Sequence, residues 1–292
     1  MSPTDLRTIK RAMPENGALH FTMKWEGLTV SDTDRDLDLN GAQNRLTEDQ
    51  MEALIELVPE VQTIDVSKGY RLANDLMIRL VEKYPEIQFI WLITLNSGHS
   101  LVSTDTAYST FNGAEATNKL TSEQMELLKY APGLKALDLG HNKLTSLDFL
   151  RYFPDLEFLI LACNKEIDDI EILGTMKHLQ YLELFTVAVS DISPLANCTE
   201  LLDLNLSFCN NITDLSPLAG LTKLERFWGT KMENLPEEQK EAFVRDHPQT
   251  EYSFLAFHAT SDGWREHPRY DHYLYCLHNR VWIPFDQPLP EK

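Results

Sequence analysis

The sequence predicts an α/β fold: a right-handed solenoid with a parallel sheet on its concave side and short helices or 3₁₀ turns on its convex side. Two observations lead to this prediction. Five leucine-led segments recur at intervals of 22 or 23 residues, starting at Leu134, Leu156, Leu179, Leu201 and Leu224. On both sides of them, short apolar strands alternate with helical patterns. A unit that recurs at this period cannot bury its apolar face alone, so stacked copies share one core.

The segments share one pattern of apolar positions. The first two, LKALDLGHN and LEFLILACN, fit L-x-x-L-x-L-x-x-N without a mismatch, and the next two keep all three apolar positions. Val187 and Cys209 replace the Asn in those two segments. The pattern is typical of leucine-rich repeats, in which each repeat contributes one short strand. Because side chains alternate along a strand, we predict that the leucines point into the core and the residues between them face outward.

Longer elements are predicted on the amino-terminal side of these segments. Strands are expected in residues 35–41, 61–67 and 87–93, and helices in residues 46–59, 73–85 and 120–132. Thr47 with Gln50, and Thr121 with Gln124, have the spacing of a capping box at a helix start. Each predicted helix ends at a proline, which cannot continue it.

The returns between the central strands are too short for full helices. They read IDDIEILGTM, SDISPLANC and TDLSPLAGL, with Pro194 and Pro217 placed to start a single helical turn after Asp191 and Asp214. These returns resemble internalin-type leucine-rich repeats, which implies short 3₁₀ turns on the convex side. The longer flanking returns resemble ribonuclease-inhibitor-type repeats. The resemblance, to bacterial leucine-rich repeat proteins, covers residues 34–249 and implies about eight turns of solenoid.

The open ends of a solenoid must be covered. We predict an N-terminal cap in residues 1–33, repeats in residues 34–249, and an aromatic C-terminal cap in residues 250–292. A last helix is expected in residues 236–248 and a terminal strand in residues 250–257, after which aromatic residues and prolines replace the leucines. The block GWREHPRY is similar to the terminal segment of bacterial leucine-rich repeat proteins of unassigned role.

The charge balance restricts the class of partner. The formal net charge is −19, from 45 acidic and 26 basic residues, and such a surface repels nucleic acid and anionic lipid. The sequence has no apolar run of about 18 residues and no apolar segment typical of a secretion signal. We therefore expect no nucleic-acid partner, no membrane insertion, and a monomer. A secreted or surface location with the signal absent from this sequence is favoured, and a cytoplasmic one stays open.

The outward positions of neighbouring strands predict a binding surface. Large aromatic residues exposed on a sheet are costly unless something covers them, and they are enriched at binding hot spots. We predict a protein or peptide partner here, in a non-enzymatic role, at Phe158, Ile160, Tyr181, Glu183, Phe185, Phe208, Arg226 and Trp228. One alternative is that the chain's own C-terminal segment covers this surface. Another is an acidic neutraliser of a basic protein, acting through Asp36, Asp38, Asp65 and Asp138.

Evidence for a cofactor or for catalysis is thin. The C-terminal segment holds Cys276 and five histidines, His247, His258, His267, His272 and His278, but their order matches no standard metal site. No nucleophile elbow, phosphate-binding loop or dinucleotide fingerprint is present. We expect no cofactor, no metal and no enzyme activity, and we interpret the four cysteines as structural thiols. A hydrolase that uses His272, and a cysteine nucleophile paired with His178 or His278, are the alternatives of another class.

Overall fold

A computed structural model describes residues 1–14, 19–69, 72–111 and 117–290. The chain divides into two compact units. The first contains Met1–Thr94 and Ser100–Ser103, and the second contains Leu95–His99 and Thr104–Lys292. The division into caps and repeats at residues 33 and 249 remains an interpretation of the sequence.

The first unit begins with helix α1 (Pro3–Ala12), followed by an antiparallel hairpin of β1 (Thr22–Trp25) and β2 (Leu28–Ser31). A three-stranded parallel sheet follows, with β3 (Asp36–Asp38), β4 (Thr63–Asp65) and β5 (Gln88–Ile90). Helices α2 (Glu48–Leu57) and α3 (Asn74–Lys83) connect these strands. Strands β6 (Leu92–Asn96) and β7 (His99–Val102) form a separate two-stranded sheet.

The two helices predicted in this region are present, each shorter than predicted by one or two residues at either end. The Thr47 side chain accepts a hydrogen bond from the Gln50 amide, and the Gln50 side chain accepts one from the Thr47 amide, so α2 starts with a complete capping box. Helices α2 and α3 end two residues before Pro59 and Pro85. The length of α2 follows from its capping box and its following proline, whereas α3 starts after Ala73 without a side-chain cap and has only the stop signal.

The second unit is built on a seven-stranded parallel sheet in its described residues. In chain order the strands are β8 (Ala107–Ser109), β9 (Ala136–Asp138), β10 (Phe158–Ile160), β11 (Tyr181–Glu183), β12 (Asp203–Asn205), β13 (Arg226–Trp228) and β14 (Glu251–Ser253). Each strand pairs with its sequence neighbours. The middle residues of neighbouring strands are register partners and form one row across the sheet. The buried side chains of this row include Leu137, Leu159, Leu182, Leu204 and Phe227, each 0% exposed. This register confirms that the repeat leucines point inward.

The convex side consists of short helical returns, as predicted for the central repeats, whereas the helix predicted in residues 120–132 is one short α-helix followed by a 3₁₀ helix. Helix α4 (Ser122–Met125) continues as a 3₁₀ helix, and it is followed by four more 3₁₀ helices and by α5 (Glu237–Asp246). The five 3₁₀ helices are Glu126–Tyr130, Asp148–Tyr152, Glu171–Thr175, Ser193–Asn197 and Ser216–Gly220. The last two of these helices begin at Ser193 and Ser216. The backbone amides of these serines donate hydrogen bonds of 2.8 Å to the carboxylates of Asp191 and Asp214. One strand and one short helix per coil is the α/β solenoid that the sequence predicts.

Side chains that follow the carboxyl ends of the strands join successive coils. The side-chain amide of Asn164 donates two hydrogen bonds to backbone carbonyls. One goes to Leu139, one coil earlier, at 2.9 Å, and the other to Leu161 at 2.8 Å. At the equivalent place Cys209 donates its thiol to the Leu184 carbonyl at 3.2 Å, again 25 residues earlier. The replacement of Asn by Cys therefore keeps the contact between coils.

The C-terminal segment contains a helix that was not predicted, α6 (Pro268–Asn279). The His267 side chain caps its amino terminus, and Pro268 occupies the first helical position, which favours proline. Residues 254–290, which follow β14 and include α6, are called the strap below.

Candidate functional site

The strap lies on the concave face of the second unit. The Trp264 ring lies 5.7 Å from Tyr181 and 5.2 Å from Trp228, and the Tyr273 ring lies 4.7 Å from Phe158. Farther along, the Trp282 amide donates to the Thr106 hydroxyl, beside β8, at 2.7 Å. Since the strap leaves the sheet at β14, it crosses back over the strands to the opposite edge.

The strap buries most of the predicted partner-binding residues. Six of them, Phe158, Ile160, Tyr181, Glu183, Arg226 and Trp228, are at most 5% exposed. The expectation that they face solvent is therefore wrong. The aromatic patch needed an apolar cover, and the chain supplies it from its own C-terminal segment. The other two, Phe185 and Phe208, stay partly accessible.

A buried ion pair holds the strap to the centre of the sheet. Arg265 Nη1 and Nη2 lie 2.6 and 2.8 Å from the two carboxylate oxygens of Glu183, which is 0% exposed. Trp264 Nε1 and the Tyr181 hydroxyl both donate to the same oxygen, Oε1. Burial acts to lower the pKa of Arg265, but the Glu183 carboxylate together with Tyr181 and Tyr273 outweighs burial, and the pKa is raised. The bidentate geometry fixes one position of the strap along the sheet.

A second buried acid, Asp203, pairs with two arginines. Its oxygens lie 3.2 Å from Arg226 Nη1 and 2.6 Å from Arg269 Nε. Burial raises the pKa of Asp203, and the two guanidinium groups counteract part of that effect. The Arg226 guanidinium also lies over the rings of Trp264 and Trp228, 4.6 and 5.2 Å from their centroids. Arg226 thus helps to bind the strap, a contact within the chain.

The sequence pointed to Glu183 and Arg226 as partner-binding residues, but it did not identify their role in holding the strap, nor did it identify Asp203, Arg265 and Arg269. The signal for them was present, because Glu183 and Asp203 occupy strand positions next to aromatic residues. A carboxylate buried there needs a cation. The block GWREHPRY supplies Arg265 and Arg269, four residues apart, as those cations.

An open cavity of about 520 Å³ remains between the sheet and the strap. Its aromatic walls are Phe111, Phe185, Phe208, Tyr270 and Tyr273. Its polar walls include Asp138, His141, Glu183, His258 and Arg265. Phe111 is 52% exposed, and its ring lies 5.4 Å from the His141 ring. Apolar walls with a few polar groups are typical of a ligand-binding cavity.

Backbone positions in a strained conformation recur beside the cavity, and three of them, His141, Thr186 and Phe208, line it. At the carboxyl end of successive strands, residues adopt the left-handed conformation, with φ between 61° and 63° at His141, Cys163, Thr186 and Phe208. Bulky residues rarely adopt it. The amide of each donates to a carbonyl of the next coil, as Phe208 does to Thr230 at 2.8 Å. The stacking of coils therefore holds these side chains in place, and nothing in the repeat pattern indicates the strain.

Asp138 is the acid on the cavity wall that lacks a strong cationic partner. It accepts hydrogen bonds from the Gly140 amide at 3.1 Å and the Ser109 hydroxyl at 3.0 Å. No Lys or Arg of the described residues lies within 4 Å of it. Burial, with a smaller contribution from the Glu183 carboxylate, raises the pKa of Asp138 to about 6, against the two hydrogen bonds, which lower it.

We expect Asp138→Asn to stabilise the second unit at neutral pH. The folded-state pKa is above the ordinary value of 3.8, so the charged form is disfavoured and stability is lost as pH rises through about 6. Asn removes that charge, with an expected gain on the order of 1–2 kcal/mol at pH 7.5, discounted for water in the cavity. At pH 4.5 we expect a smaller gain. Urea unfolding at both pH values measures the difference.

A matched control for this variant is Asp155→Asn, because the Asp155 side chain is 65% exposed. We expect that change to shift stability by less than about 0.5 kcal/mol at either pH. The same gain from Asp138→Asn at pH 4.5 and 7.5 would contradict a raised pKa.

A wider groove of about 740 Å³ runs along the convex returns. Its lining mixes polar turn residues with Leu147, Ile172 and Pro194 and includes no aromatic side chain. The Asp169 carboxylate accepts a hydrogen bond from the Glu171 backbone amide at 2.8 Å. This agrees with a capping role for Asp169. The aromatic cavity on the concave side is therefore the better candidate site.

The histidines of the C-terminal segment are dispersed. His272 Nε2 lies 2.8 Å from the Ile283 carbonyl, and both ring nitrogens of His247 lie 3.0 Å from backbone carbonyls. Burial, followed by the charges of Arg269 and Arg226, lowers the pKa of His267 to about 4. Within residues 1–14, 19–69, 72–111 and 117–290, no three His, Cys, Asp or Glu side chains form a group suited to a metal ion.

The cysteines are free thiols, and three of the four are buried. Burial raises the pKa of Cys198 and of Cys209 to about 12, and it also raises the pKa of Cys163 and Cys276. A cysteine nucleophile requires the thiolate, which these surroundings disfavour. His178 lies at the surface, 3.9 Å from Asp155.

The acidic residues named in the alternative hypothesis lie in both units. Asp36 and Asp38 are exposed on β3, and Asp65 is half-buried on β4, directly beside Asp38 in the register. Asp138 lies in the second unit, at the cavity. In the described part of the chain, no helix has the length and apolar character needed to cross a bilayer.

Comparisons with known proteins find one family model and several solved structures to which this chain is similar. Residues 132–175 match the family model described as leucine-rich repeats in two copies. An internalin (inlF) from Listeria monocytogenes is 21% identical, with a TM-score of 0.42 over 70% of this chain and 50% of that one. Another Listeria monocytogenes internalin, C2, is 18% identical, with a TM-score of 0.35 over 67% of this chain and 84% of that one. A leucine-rich repeat protein from Leptospira interrogans is 14% identical, with a TM-score of 0.38 over 69% of this chain and 56% of that one.

This chain thus spans half the length of the first internalin chain. No curated protein matches it. Because these TM-scores are all below 0.5, the fold is assigned from the strand register and from the row of leucines that point inward. Together with the match over residues 132–175, that register confirms the prediction that this chain contains leucine-rich repeats.

Proposed function

We propose that this protein is a non-enzymatic module that binds a protein or peptide, and that the partner enters the cavity between the concave sheet and the strap. Leucine-rich repeat proteins commonly mediate protein binding. The observation that carries the proposal is the cavity of about 520 Å³ with accessible aromatic walls at Phe111, Phe185 and Phe208. Two of these, Phe185 and Phe208, belong to the binding surface predicted from the sequence.

The strap determines where on the concave face a partner can bind. Residues at the centre of the concave face, such as Tyr181 and Trp228, are already packed against Trp264. A partner can reach them only by displacing the strap and its buried ion pairs. At the cavity, by contrast, aromatic surface is open to a side chain from outside, and rigid aromatic rings in a concave setting are typical binding hot spots.

We expect Phe208→Ala to weaken peptide binding about tenfold or more, because the ring forms one wall of the cavity. The probe is a set of 12-residue peptides, selected from a random displayed library on the unmodified protein and measured by fluorescence anisotropy. Leu255→Ala is the matched control: this side chain is 95% exposed and lies outside the cavity walls. We expect the control to change affinity less than about twofold.

Either of two results would overturn the proposal. The selected peptides could bind Phe208→Ala and Phe185→Ala as tightly as the unmodified protein. The library could also give no peptide with measurable affinity for the folded protein. Thermal unfolding of each variant shows whether lost binding reflects lost structure.

A second candidate function is neutralisation of a basic protein by the first unit. It is favoured by the placement of Asp38 beside Asp65 on neighbouring strands, with Asp36 exposed on the same strand as Asp38. Affinity that falls steeply with salt and on Asp38→Asn, with no effect of Phe208→Ala, would distinguish this function from binding at the cavity.

A further inference from the structure

We propose that the cavity takes a cationic side chain, the Lys or Arg of a basic peptide, with Asp138 as its counter-ion and aromatic rings as its walls. This inference rests on the proposed function, since it specifies the partner chemistry of the same cavity. It is carried by three observations: the unfilled bonding positions of Asp138, the balance of the other charges, and the faces of the surrounding rings.

The Asp138 carboxylate has room for another donor. An ionised carboxylate offers about four lone-pair positions. The Gly140 amide takes one at 3.1 Å and the Ser109 hydroxyl takes another at 3.0 Å, on different oxygens. Each oxygen therefore keeps a position for a donor that enters the cavity. An Arg or Lys head group supplies such donors together with the opposite charge.

The other charged groups of the cavity do not neutralise Asp138. Arg265 lines the cavity, but it is bound through both Nη atoms to Glu183, so that pair contributes no net charge. Burial, followed by the charge of Lys119, lowers the pKa of His141, which disfavours its charged form. His258 is exposed at the rim. The cavity thus keeps the negative charge of Asp138.

The aromatic walls favour a cation over an apolar side chain. A cation is attracted to a ring face within about 6 Å of its centroid. Three of the wall rings already have a cation of the chain beside them: Lys231 Nζ lies 5.3 Å from the Phe208 centroid, and the Arg265 guanidinium lies 5.3 and 5.8 Å from the centroids of Tyr270 and Tyr273. Among the described residues no cation lies over Phe111 or Phe185, so these two rings are the ones that an incoming cation would meet. An apolar occupant would strip water from Asp138 without replacing it, which is costly for a carboxylate. The formal net charge of −19 also draws a basic peptide towards the protein.

The test compares two isosteric peptides by NMR titration of the full chain: N-acetyl-Ala-Arg-Ala-amide and the same peptide with citrulline in place of Arg. The backbone amide signals of Ser109 and Gly140 report occupancy next to Asp138. We expect the Arg peptide to bind with a Kd on the order of millimolar and the citrulline peptide at least tenfold more weakly. Asp138→Asn should remove the preference for Arg, while Asp155→Asn, a matched loss of one charge, should keep it.

The outcomes separate this inference from the proposed function. Equal shifts from both peptides, or a preference for Arg that survives Asp138→Asn, would overturn the cationic occupant. The proposed function can survive that result. If the library peptides still bind Phe208→Ala more weakly than the unmodified protein, a peptide binds at the cavity through an uncharged side chain. A third outcome is that magnesium chloride shifts the Ser109 and Gly140 amide signals whereas neither peptide does. The site would then hold a metal cation, which also overturns the inference. The Arg and citrulline comparison uses the unmodified protein, so it does not depend on how a variant folds.

Discussion

Leu182→Asp is expected to abolish the cooperative unfolding transition of the second unit. Leu182 is 0% exposed in β11, and its register partners are Leu159 and Leu204 on the two flanking strands. Loss of the buried side chain alone costs about 2–5 kcal/mol, and a carboxylate in the same place adds a large desolvation cost. A domain of this kind is stable by only about 5–15 kcal/mol. Circular dichroism during thermal unfolding measures the effect.

The control for this prediction is Leu182→Met, which conserves volume and should cost less than about 1.5 kcal/mol. A thermal transition of Leu182→Asp that matches the unmodified protein would show that Leu182 does not face the core. Because each coil contacts only its neighbours, we expect loss of native structure first around β11. Hydrogen exchange of the strand amides, compared between the two variants, locates it.

The repeated coil could be predicted because its causes are local and recur. Residues such as Leu137 and Leu159 repeat at a fixed interval, and side-chain alternation places them inward. The convex turns were also predictable, since Pro194 and its preceding Asp191 form a start signal within a few residues. Signals of this kind need no knowledge of distant parts of the chain.

The covered concave face could not be assigned in the same way. Whether Tyr181 meets solvent or Trp264 depends on a contact between residues 83 positions apart, and repeat spacing carries no information on it. The sequence favoured a partner as the cover of this aromatic surface and kept the chain's own C-terminal segment only as an alternative, since either one removes the rings from water. One signal was missed: Tyr270, Tyr273, Leu274 and Leu277 follow helical spacing after Pro268, which predicts α6.

The acidic residues show a similar limit. The sequence places Asp38, Asp65 and Asp138 at the same outward position of their repeats. In the structure Asp38 is exposed, whereas Asp138 lies against a cavity wall completed by residues of the strap, such as Arg265 and Tyr273. Equivalent repeat positions therefore differ in chemistry when a non-repetitive segment covers one of them.

Arg265→Ala is expected to destabilise the second unit by about 3–5 kcal/mol, because it leaves the Glu183 carboxylate buried without its cation. We also expect the strap to loosen, since the bidentate pair fixes its position. Exposure of Phe158 and Trp228 should then increase binding of a hydrophobic dye such as ANS. Urea unfolding and dye fluorescence measure the two effects.

The reason for expecting so large a loss is burial, and the chain offers a control that lacks it. Arg245 also pairs with an acid, Asp246, at 3.1 Å, but its side chain is 70% exposed. Arg245→Ala should therefore cost no more than about 1 kcal/mol. Removing both charges, as in Glu183→Gln with Arg265→Ala, should recover part of the loss, because no carboxylate then stays unpaired. Equal, small losses for Arg265→Ala and Arg245→Ala, with no rise in dye binding, would show that the strap is held by its aromatic contacts and that the ion pair adds little.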